Sequence, residues 1–483
     1  MCDVCDARGL SMHSFSRRNF MAVGAGIAAL ASSAPVLAQS PAPTTGAPAT
    51  PGEFIIRNAT VLSVDPAIGN LPDADIHVRD GVIVAVGPNV QAASVASVNA
   101  RRMIAIPGMI DTHWHMWGAA ARNMAGEDRK TGYFPNSRVI GSQFSPLDNA
   151  RGVRLALAES LYSGITTVHN WSHNLLAPDF ADAEIAVHRG VGSRARFSYG
   201  YSRNTKANEP LPLDDLRRVH KQYFGTGDKL LTLGMASRGP ESNTMDICKT
   251  EWGVARELGI PVTSHMATAP LAAKGVDGVK LLNEAGLLGP DVLLVHCTNN
   301  GKEHFDILAK TRTAVSLSPY TEMRTGFGFP PIREMLAAGV QVSFSIDTTL
   351  LCGNADMFAI MKAMQNVGDG AAQSEFEIKP QRMLEMATLD GAKALGLENV
   401  VGSITPGKRA DIVLVRTDAL NMAPMTEPVR MIVQAAQPHN VDSVIVDGRF
   451  LKQGGRLTTI DVDKVMEDAQ DTMDRVRAKI RAG

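Results

Sequence analysis

The sequence predicts an α/β protein, a (β/α)8 TIM barrel with a small flanking β-sandwich domain formed by both chain ends. The barrel is expected over residues 107–399, where eight apolar runs of strand type alternate with stretches of helical spacing, as in parallel βαβ units. Residues 53–106 and 400–460 hold short strand-like runs between turn residues, which favours one β-domain made from both ends. The 483-residue chain is long enough for one large domain and a smaller one.

The N-terminus carries the features of an export signal. Arg17 and Arg18 precede a weakly apolar run, residues 22–30, and a small-residue cleavage pattern, so residues 1–38 resemble a twin-arginine signal peptide. The run is too short for a stable membrane anchor. Residues 39–52 form a Pro/Thr/Ala-rich linker. We therefore expect export by the twin-arginine machinery of a bacterium and a periplasmic or secreted protein.

The composition is typical of a soluble globular protein. Hydrophobic residues make up 45% of the chain, and 48 basic side chains balance 49 acidic ones. This balance argues against nucleic acid or an acidic membrane surface as the main partner. The expected partner is a small-molecule substrate, and homo-oligomerisation stays open.

The elements of the two predicted domains follow from their patterns. Strand-like runs of the β-domain cover residues 54–64, 76–86, 103–106, 410–415 and 441–449. Within the second run, Asp80-Gly81 is a strong signal for a two-residue hairpin turn. The eight predicted barrel strands cover residues 104–111, 165–171, 195–201, 230–236, 261–266, 292–298, 314–319 and 340–347.

Helical spacing of apolar residues predicts the helices between the barrel strands, among them 147–162, 245–258 and 271–285. Residues 461–483 are predicted to form a C-terminal helix, which packs on the barrel or serves as a docking or oligomer helix. Its predicted apolar face consists of Val462, Met466, Ala469, Met473, Val476 and Ile480.

Histidines and an aspartate follow the apolar runs of several predicted strands. His113 and His115 are separated by one residue, so in a strand both point to the same side and can reach one divalent metal ion. His265, His296 and Asp347 close the predicted strands five, six and eight. Each alone is explained by a core hydrogen bond or a helix cap. Because the C-terminal strand ends of a barrel converge, their conjunction predicts a metal centre.

These residues, with their neighbours, resemble the amidohydrolase superfamily. The matching segments are residues 107–115, 164–168, His265, His296, 346–347, 387–392 and 402–411. The spacing is most similar to the branch that contains cytosine, adenosylhomocysteine and s-triazine deaminases or chlorohydrolases. The resemblance covers nearly the whole chain after the signal, and it implies a metal-activated water that hydrolyses a carbon–nitrogen bond.

The resemblance implies a single divalent ion, zinc in preference to iron. Its implied ligands are His113, His115, His265 and Asp347. Binuclear members carry a bridging lysine at the end of strand four, but residues 230–237 end without one, and Lys229 lies at the start of that strand. A binuclear centre with an unusual bridge is the alternative. Asp347 is implied to move the proton of the water, and His296 to act as an electrophile or hydrogen-bond donor.

One position departs from the family pattern. The deaminase branch has a proton-shuttling glutamate three residues after the strand-five histidine, where this chain has Thr268. This favours hydrolysis of an amide, lactam, carbamate or amidine in a small, cyclic substrate. Deamination or dechlorination of an N-heterocycle is the alternative, and a catalytically silent periplasmic binding protein is the alternative from another class.

Further polar and aromatic residues follow the predicted strands. Glu322 is a candidate for the missing acid and Arg324 for binding a substrate carboxylate. His169, His173 and Trp117 are candidates for contacting the substrate. Loop contacts and barrel packing are the alternative explanation for all five.

Overall fold

A computed structural model of the protein describes residues 52–482, apart from residues 93, 203–204, 207 and 226–229. The predicted signal peptide, Lys229 and the linker up to residue 51 lie outside the described residues. The described chain forms an eight-stranded parallel sheet and a separate nine-stranded sheet built from both of its ends, which confirms the predicted fold class.

The strands and helices follow one another in an alternating order through the middle of the chain. The strands are β1 (Glu53–Leu62), β2 (Asn70–Arg79), β3 (Val82–Gly87), β4 (Ala96–Asn99), β5 (Met103–Pro107), β6 (Met109–Trp114), β7 (Ile165–Ser172), β8 (Arg194–Gly200), β9 (Leu231–Ser237), β10 (Val262–Met266), β11 (Val292–His296), β12 (Ala314–Leu317), β13 (Val342–Phe344), β14 (Ile412–Arg416), β15 (Val441–Val446), β16 (Arg449–Gln453) and β17 (Arg456–Leu457). The α-helices are α1 (Tyr133–Ser142), α2 (Pro146–Ser163), α3 (Pro178–Val191), α4 (Leu213–Val219), α5 (Met245–Glu257), α6 (Leu271–Lys274), α7 (Gly278–Glu284), α8 (Lys302–Thr311), α9 (Pro319–Arg324), α10 (Ile332–Ala337), α11 (Thr349–Cys352), α12 (Met357–Ala372), α13 (Pro380–Ala387), α14 (Leu389–Ala394), α15 (Pro428–Arg430) and α16 (Val462–Ala482). Short 3-10 segments cover Met116–Ala121, Leu420–Met422 and Pro438–Asn440, and π-helical turns cover His220–Phe224 and Met431–Ala435.

The barrel consists of β6 to β13 in chain order, each paired in parallel with the next. Its ring closes between the loop after β13 and the end of β6. There the backbone N–H of Asp347 donates to the carbonyl of His113 at 2.8 Å, and the N–H of His115 donates to the carbonyl of Asp347 at 2.7 Å. The closure therefore holds the backbones of three predicted metal ligands together.

The predicted first barrel strand, residues 104–111, is wrong as a single strand. The chain forms β5, which pairs with β14 of the flanking sheet, and then β6, which begins the barrel. Gly108 lies between them, where a Cβ would come within 2.0 Å of the Thr166 hydroxyl. Both strands are buried, so burial continues across the change of sheet, and in the sequence Pro107-Gly108 marks the change. The other seven predicted barrel strands are confirmed as β7 to β13, with ends that differ by at most three residues.

The flanking sheet brings β1 to β5 beside β14 to β17. The predicted hairpin is confirmed: Arg79 pairs with Val82, and Asp80 and Gly81 connect β2 to β3 with φ values of +51° and +76°. These positive values are typical of a type I′ turn, which suits the twist of the two strands. A second Asp-Gly turn joins β15 to β16, and a Cβ on its glycine, Gly448, would lie 2.5 Å from the Cα of Gly81. The two turns therefore pack directly on each other.

A buried ion pair joins the two sheets. Arg194, at the start of β8, donates from Nε to Oδ2 of Asp411 at 2.9 Å and from Nη2 to Oδ1 at 3.1 Å. Asp411 stands just before β14, and its Oδ1 also accepts from the backbone N–H of Asp447 at 2.8 Å. The bidentate geometry fixes the barrel against the flanking sheet.

Two helix predictions are corrected by the structure. The predicted helix 271–285 is two short helices, α6 and α7. Gly275 has φ of +69° and ends α6, and the side chain of Asp277 accepts from the backbone N–H of Lys280 to cap α7. The helices predicted over 147–162 and 245–258 are confirmed as α2 and α5.

The C-terminal helix is confirmed as α16, and it packs against α2. Its buried face differs from the predicted one, because Val465, Met473 and Val476 are buried whereas Val462 and Met466 are exposed. Ile480, also expected on that face, is exposed as well. Within the described range, the helices are all too short or too polar to span a bilayer.

Candidate metal centre and active site

The four predicted metal ligands meet at the C-terminal end of the barrel. The Nε2 atoms of His113 and His265 lie 3.2 Å apart. Oδ1 of Asp347 lies 3.3 Å from Nε2 of His113 and 3.4 Å from Nε2 of His115. The ligand nitrogens of the three histidines all lie within 4.8 Å of one another. One cation at this position would accept lone pairs from three imidazoles and a carboxylate, so the residues fit a divalent metal such as zinc.

The protonation of the histidines also suits metal binding. Burial lowers the pKa values of His113, His115 and His265 well below their ordinary value, and each ring disfavours a charge on its neighbours. Neutral imidazoles keep the lone pair that a metal requires. Nδ1 of His115 lies 3.3 Å from the carbonyl of Trp171 and donates to it, which leaves Nε2 as the ligand atom.

The aspartate and the fourth histidine are held by an unusual backbone conformation. Asp347 has φ of +64° and His296 has φ of +75°, a region that side-chain-bearing residues rarely adopt. Nε2 of His296 lies 3.8 Å from Oδ2 of Asp347. Strain of this kind persists where the surrounding structure overdetermines the conformation, as it does in many active sites.

Glu322 lies behind His296. Its Oε1 is 3.0 Å from Nδ1 of His296 and accepts from the backbone N–H of Ser318 at 2.9 Å. Burial lowers the pKa of His296, but the hydrogen bond to Glu322 and the charge of Asp347 outweigh burial and raise it. Burial raises the pKa of Glu322. Because the Glu322 side chain is fully buried behind the ring, the geometry makes it a residue that orients His296 and does not favour its predicted role as the missing acid.

A cavity of about 370 Å³ opens above the ligands. Its aromatic walls are formed by Tyr133, Phe134, Trp171, Tyr201 and Phe327. Its polar lining includes His173, Arg238, Glu241, Thr268 and Lys274, beside His115, His265, His296 and Asp347. The cavity has the size and the mixed lining of a small-molecule site.

The predicted substrate-contacting residues separate into two groups. His173 lines the cavity, with its ring centroid 4.3 Å from that of His115. The other three lie outside the described lining of this cavity. Trp117 is buried and donates from Nε1 to Nδ1 of His173 at 3.3 Å, while Arg324 donates to the carbonyl of Leu351 at 2.9 Å.

His169 is the third of these and lies in the barrel interior. Its Nδ1 is 2.8 Å from the carbonyl of Thr112, and its Nε2 is 2.6 Å from Oγ of Ser198. Contacts with substrate by Trp117, Arg324 or His169 stay predictions that this geometry does not favour.

The cavity also holds a carboxylate that the sequence patterns do not single out. Glu241 follows β9, and its side chain is only 6% exposed. Its Oε1 accepts from the backbone N–H of Ala267 at 2.6 Å, and its Oε2 lies 3.3 Å from Nζ of Lys274. The signal for this residue was its place just after strand four, since catalytic groups of a barrel come from strand ends. The loop that carries Glu241 has no recognisable motif, so this position is the residue's only signal in the sequence.

The geometry agrees with comparisons to known proteins. A model of the amidohydrolase family matches residues 104–451. The 5'-deoxyadenosine deaminase of Methanosarcina mazei is 26% identical over 441 residues, which cover 89% of this chain and 100% of the deaminase.

Solved structures share the fold. An adenosine deaminase from Xanthomonas campestris with bound zinc has a TM-score of 0.80 and 25% identity, and the match covers 89% of this chain and 100% of that one. Atrazine chlorohydrolase from Arthrobacter aurescens, complexed with zinc, has a TM-score of 0.79 and 22% identity over 87% of this chain and 100% of its own. Since the family model covers well over half of the sequence, the protein belongs to the amidohydrolase family.

Proposed function

We propose that the protein is a mononuclear metal-dependent hydrolase that cleaves a carbon–nitrogen bond of a small N-heterocycle. The observation that carries the proposal is the meeting of three histidine Nε2 atoms and the Asp347 carboxylate beneath an aromatic-walled cavity. The aromatic rings offer faces on which a flat ring can stack. The deaminases among the relatives support this class of substrate.

The residues that would hold the ion are His113, His115, His265 and Asp347. A divalent ion in this site supplies Lewis acidity, which makes a hydroxide nucleophile available at neutral pH. Zinc suits a nitrogen-rich ligand set, and iron is the alternative. The zinc in two structural neighbours supports the same choice.

Three side chains at the site have separate roles in moving or holding protons. Asp347 accepts a proton from the attacking water and passes it to the leaving nitrogen. His296, on the other side of the Asp347 carboxylate, donates from Nε2 to the substrate atom that gains negative charge. Glu322 orients the His296 ring and stabilises its protonated form through Nδ1.

Glu241 takes the place of the family glutamate that Thr268 replaces. Hydrolysis at a ring carbon needs a proton on the adjacent ring nitrogen, and a threonine hydroxyl is too weak an acid to supply it. Glu241 lines the same cavity as Thr268 and is held by the Ala267 N–H, and Nζ of Lys274 lies 3.3 Å from its Oε2. Glu241, which follows the fourth barrel strand and not the fifth, is therefore the candidate acid for ring deamination in this chain.

Metal analysis and a substrate screen test the proposal. We expect about one equivalent of zinc or iron per chain; two equivalents would support the binuclear alternative. Amino-heterocycles are then screened for ammonia release, and cyclic amides for acid release. Release of acid from cyclic amides alone would move the assignment to lactam hydrolysis. Tight binding of these compounds without turnover would favour the binding-protein alternative.

Asp347→Asn tests the proposed mechanism on the substrate found. Because an amide cannot take up the proton, we expect kcat to fall roughly 10²- to 10⁴-fold. Metal content is measured in parallel, so that loss of the ion is recognised. Asp474→Asn, on the exposed side of α16, is the matched control. Full turnover by Asp347→Asn would rule out the proton transfers assigned here.

A further inference from the structure

A second cavity, of about 420 Å³, opens at the opposite end of the barrel, where β10 and β11 begin. Its lining includes Arg196 and Ser198 of β8, Thr263 of β10 and His169 of β7. The predicted metal ligands lie at the C-terminal strand ends: His113 and His115 at the end of β6, His265 near the end of β10, and Asp347 after β13. The second cavity is therefore separate from the candidate active site, and the proposed hydrolysis assigns it no role.

Arg196 is a buried cation without an acidic partner. It is only 9% exposed, and its Nη2 donates to the carbonyl of Leu395 at 2.6 Å. Its Nε is buried without a hydrogen-bond partner, and among the described residues no carboxylate pairs with the guanidinium. Burial accordingly lowers the pKa of Arg196 to about 10. A buried charge left uncompensated destabilises a fold, so its presence calls for a counter-charge.

The neighbouring strand leaves room for this side chain. β9 lies between β8 and β10, and it has a glycine, Gly234, beside Arg196. A Cβ at Gly234 would come within 2.5 Å of the Ser198 hydroxyl and 3.2 Å of Cδ of Arg196. On β10, beyond β9, the hydroxyl of Thr263 is also buried without a hydrogen-bond partner. Two unsatisfied buried groups with donor hydrogens thus line one cavity.

The other titratable groups of the cavity add no net negative charge. Arg256 and Asp291 stand in the lining and pair with each other, Nε to Oδ2, at 3.0 Å. Burial and the charge of Arg196 lower the pKa of His169 to about 3, so its ring is neutral. The formal charge of the lining is therefore that of Arg196.

We propose that this cavity binds the carboxylate of a small organic acid, held by the guanidinium of Arg196 and the hydroxyl of Thr263. A planar guanidinium presents parallel N–H groups that match the two oxygens of a carboxylate. The volume leaves room for an organic group behind the carboxylate. Inorganic phosphate would use the same donors and is the competing ligand in the test.

Isothermal titration of the metal-loaded protein with acetate, benzoate and inorganic phosphate, at constant ionic strength set with chloride, tests the site. We expect the carboxylates to bind, and Arg196→Met to weaken their binding about tenfold or more. Arg217→Met, which removes an exposed arginine paired with Glu257, is the matched control and keeps the affinity of the unmodified protein.

Because carboxylates also bind metals, the location is tested separately. A crystal soaked with 4-bromobenzoate is expected to show bromine density beside Arg196. Arg196→Met is expected to melt at the same or a higher temperature than the unmodified protein in chloride buffer, since it removes an uncompensated charge. If Arg196→Met does not fold, Arg196→Lys is used in its place. Lysine keeps the charge but lacks the parallel N–H groups of the guanidinium, so this variant is expected to weaken binding as well.

Three results would overturn the assignment. They are absence of carboxylate binding to the unmodified protein, equal affinity in the Arg196 variants, and bromine density confined to the metal site. Tighter binding of phosphate than of either carboxylate would overturn the choice of ligand class.

Discussion

At the scale of single residues, the candidate site combines reactive side chains with a backbone that the barrel holds in place. Asp347 has φ of +64°, and its N–H and C=O are bonded to the backbones of His113 and His115. These bonds do not involve the carboxylate. Substitutions of the Asp347 side chain are therefore expected to change the chemistry more than the position of the loop.

Glu241 is the residue whose role is most directly testable. Glu241→Gln keeps an oxygen for the Ala267 N–H but removes the acid, so kcat on an N-heterocyclic substrate is expected to fall about 10²-fold. Metal content is expected to stay unchanged, because the side chain is not among the predicted ligands. The control is Glu257→Gln, on the exposed side of α5. Unchanged kcat in Glu241→Gln would show that the proton comes from elsewhere.

Lys452 gives the folded protein a measurable pH dependence. It is buried in β16, where Nζ donates to the carbonyl of Tyr162 at 2.7 Å, and burial lowers its pKa to about 8. Between pH 8 and the ordinary value of 10.5, the unfolded chain binds this proton and the folded chain does not, so stability rises with pH.

The free energy of unfolding is therefore expected to rise by about 1–3 kcal/mol between pH 7.5 and 10 through this group. Urea denaturation at several pH values measures it. The rise due to this group is expected to vanish in Lys452→Met and to persist in Lys310→Met, which changes an exposed lysine. Parallel pH profiles of Lys452→Met and the unmodified protein would contradict the assignment.

At the scale of elements, periodicity identified the type of most strands and helices but not where an apolar run changes its partner. β5 and the first residues of β6 are both apolar and are separated by Gly108 alone, although they belong to different sheets. The buried face predicted for α16 is wrong because both apolar and polar residues of this helix contact α2. Among them, Thr472 is fully buried, and Met466 is exposed. Which face is covered depends on the neighbouring helix.

The contact between α2 and α16 rests on Asp148. Its Oδ2 accepts from the backbone N–H of Ser145 at 2.7 Å, and its Oδ1 accepts from the hydroxyl of Thr472 at 3.1 Å and pairs with Arg475. Asp148→Asn is expected to lower the free energy of unfolding by about 1–3 kcal/mol. It is also expected to speed hydrogen exchange in α16. Asp471→Asn, on the exposed side of α16, is expected to leave both unchanged, and equal exchange in Asp148→Asn would contradict this role.

At the scale of the whole molecule, the barrel and the flanking sheet are joined by the buried pair of Arg194 and Asp411. Arg194→Met leaves the carboxylate buried without its countercharge, so the free energy of unfolding is expected to fall by about 3–5 kcal/mol. The exposed pair of Arg217 and Glu257 is the control, where Arg217→Met is expected to cost at most about 1 kcal/mol. Chemical denaturation of both variants measures the difference, and equal losses would show that the buried pair does not join the sheets.

We also propose that residues 1–38 direct export by the twin-arginine route. Changing Arg17 and Arg18 together to lysine is expected to retain the unprocessed protein in the cytoplasm of a bacterial host that has this pathway. Cell fractionation and the mass of the mature N-terminus measure the result. Arg8→Lys, outside the pair, is the control, and unchanged export of the double variant would contradict the proposal.

The sequence alone determined the fold class and the convergence of His113, His115, His265 and Asp347, because strand ends of a barrel meet and their residue types are local features. It also determined the Asp80-Gly81 turn, whose geometry depends on two adjacent residues. Only the tertiary structure decided that Glu322 lies behind His296 and that Glu241 lies in the cavity. The physical reason is that the path of a loop and the exposure of its side chains depend on packing between residues far apart in the chain. Packing between distant residues also leaves Arg196 buried without a countercharge, and no local sequence pattern predicts this.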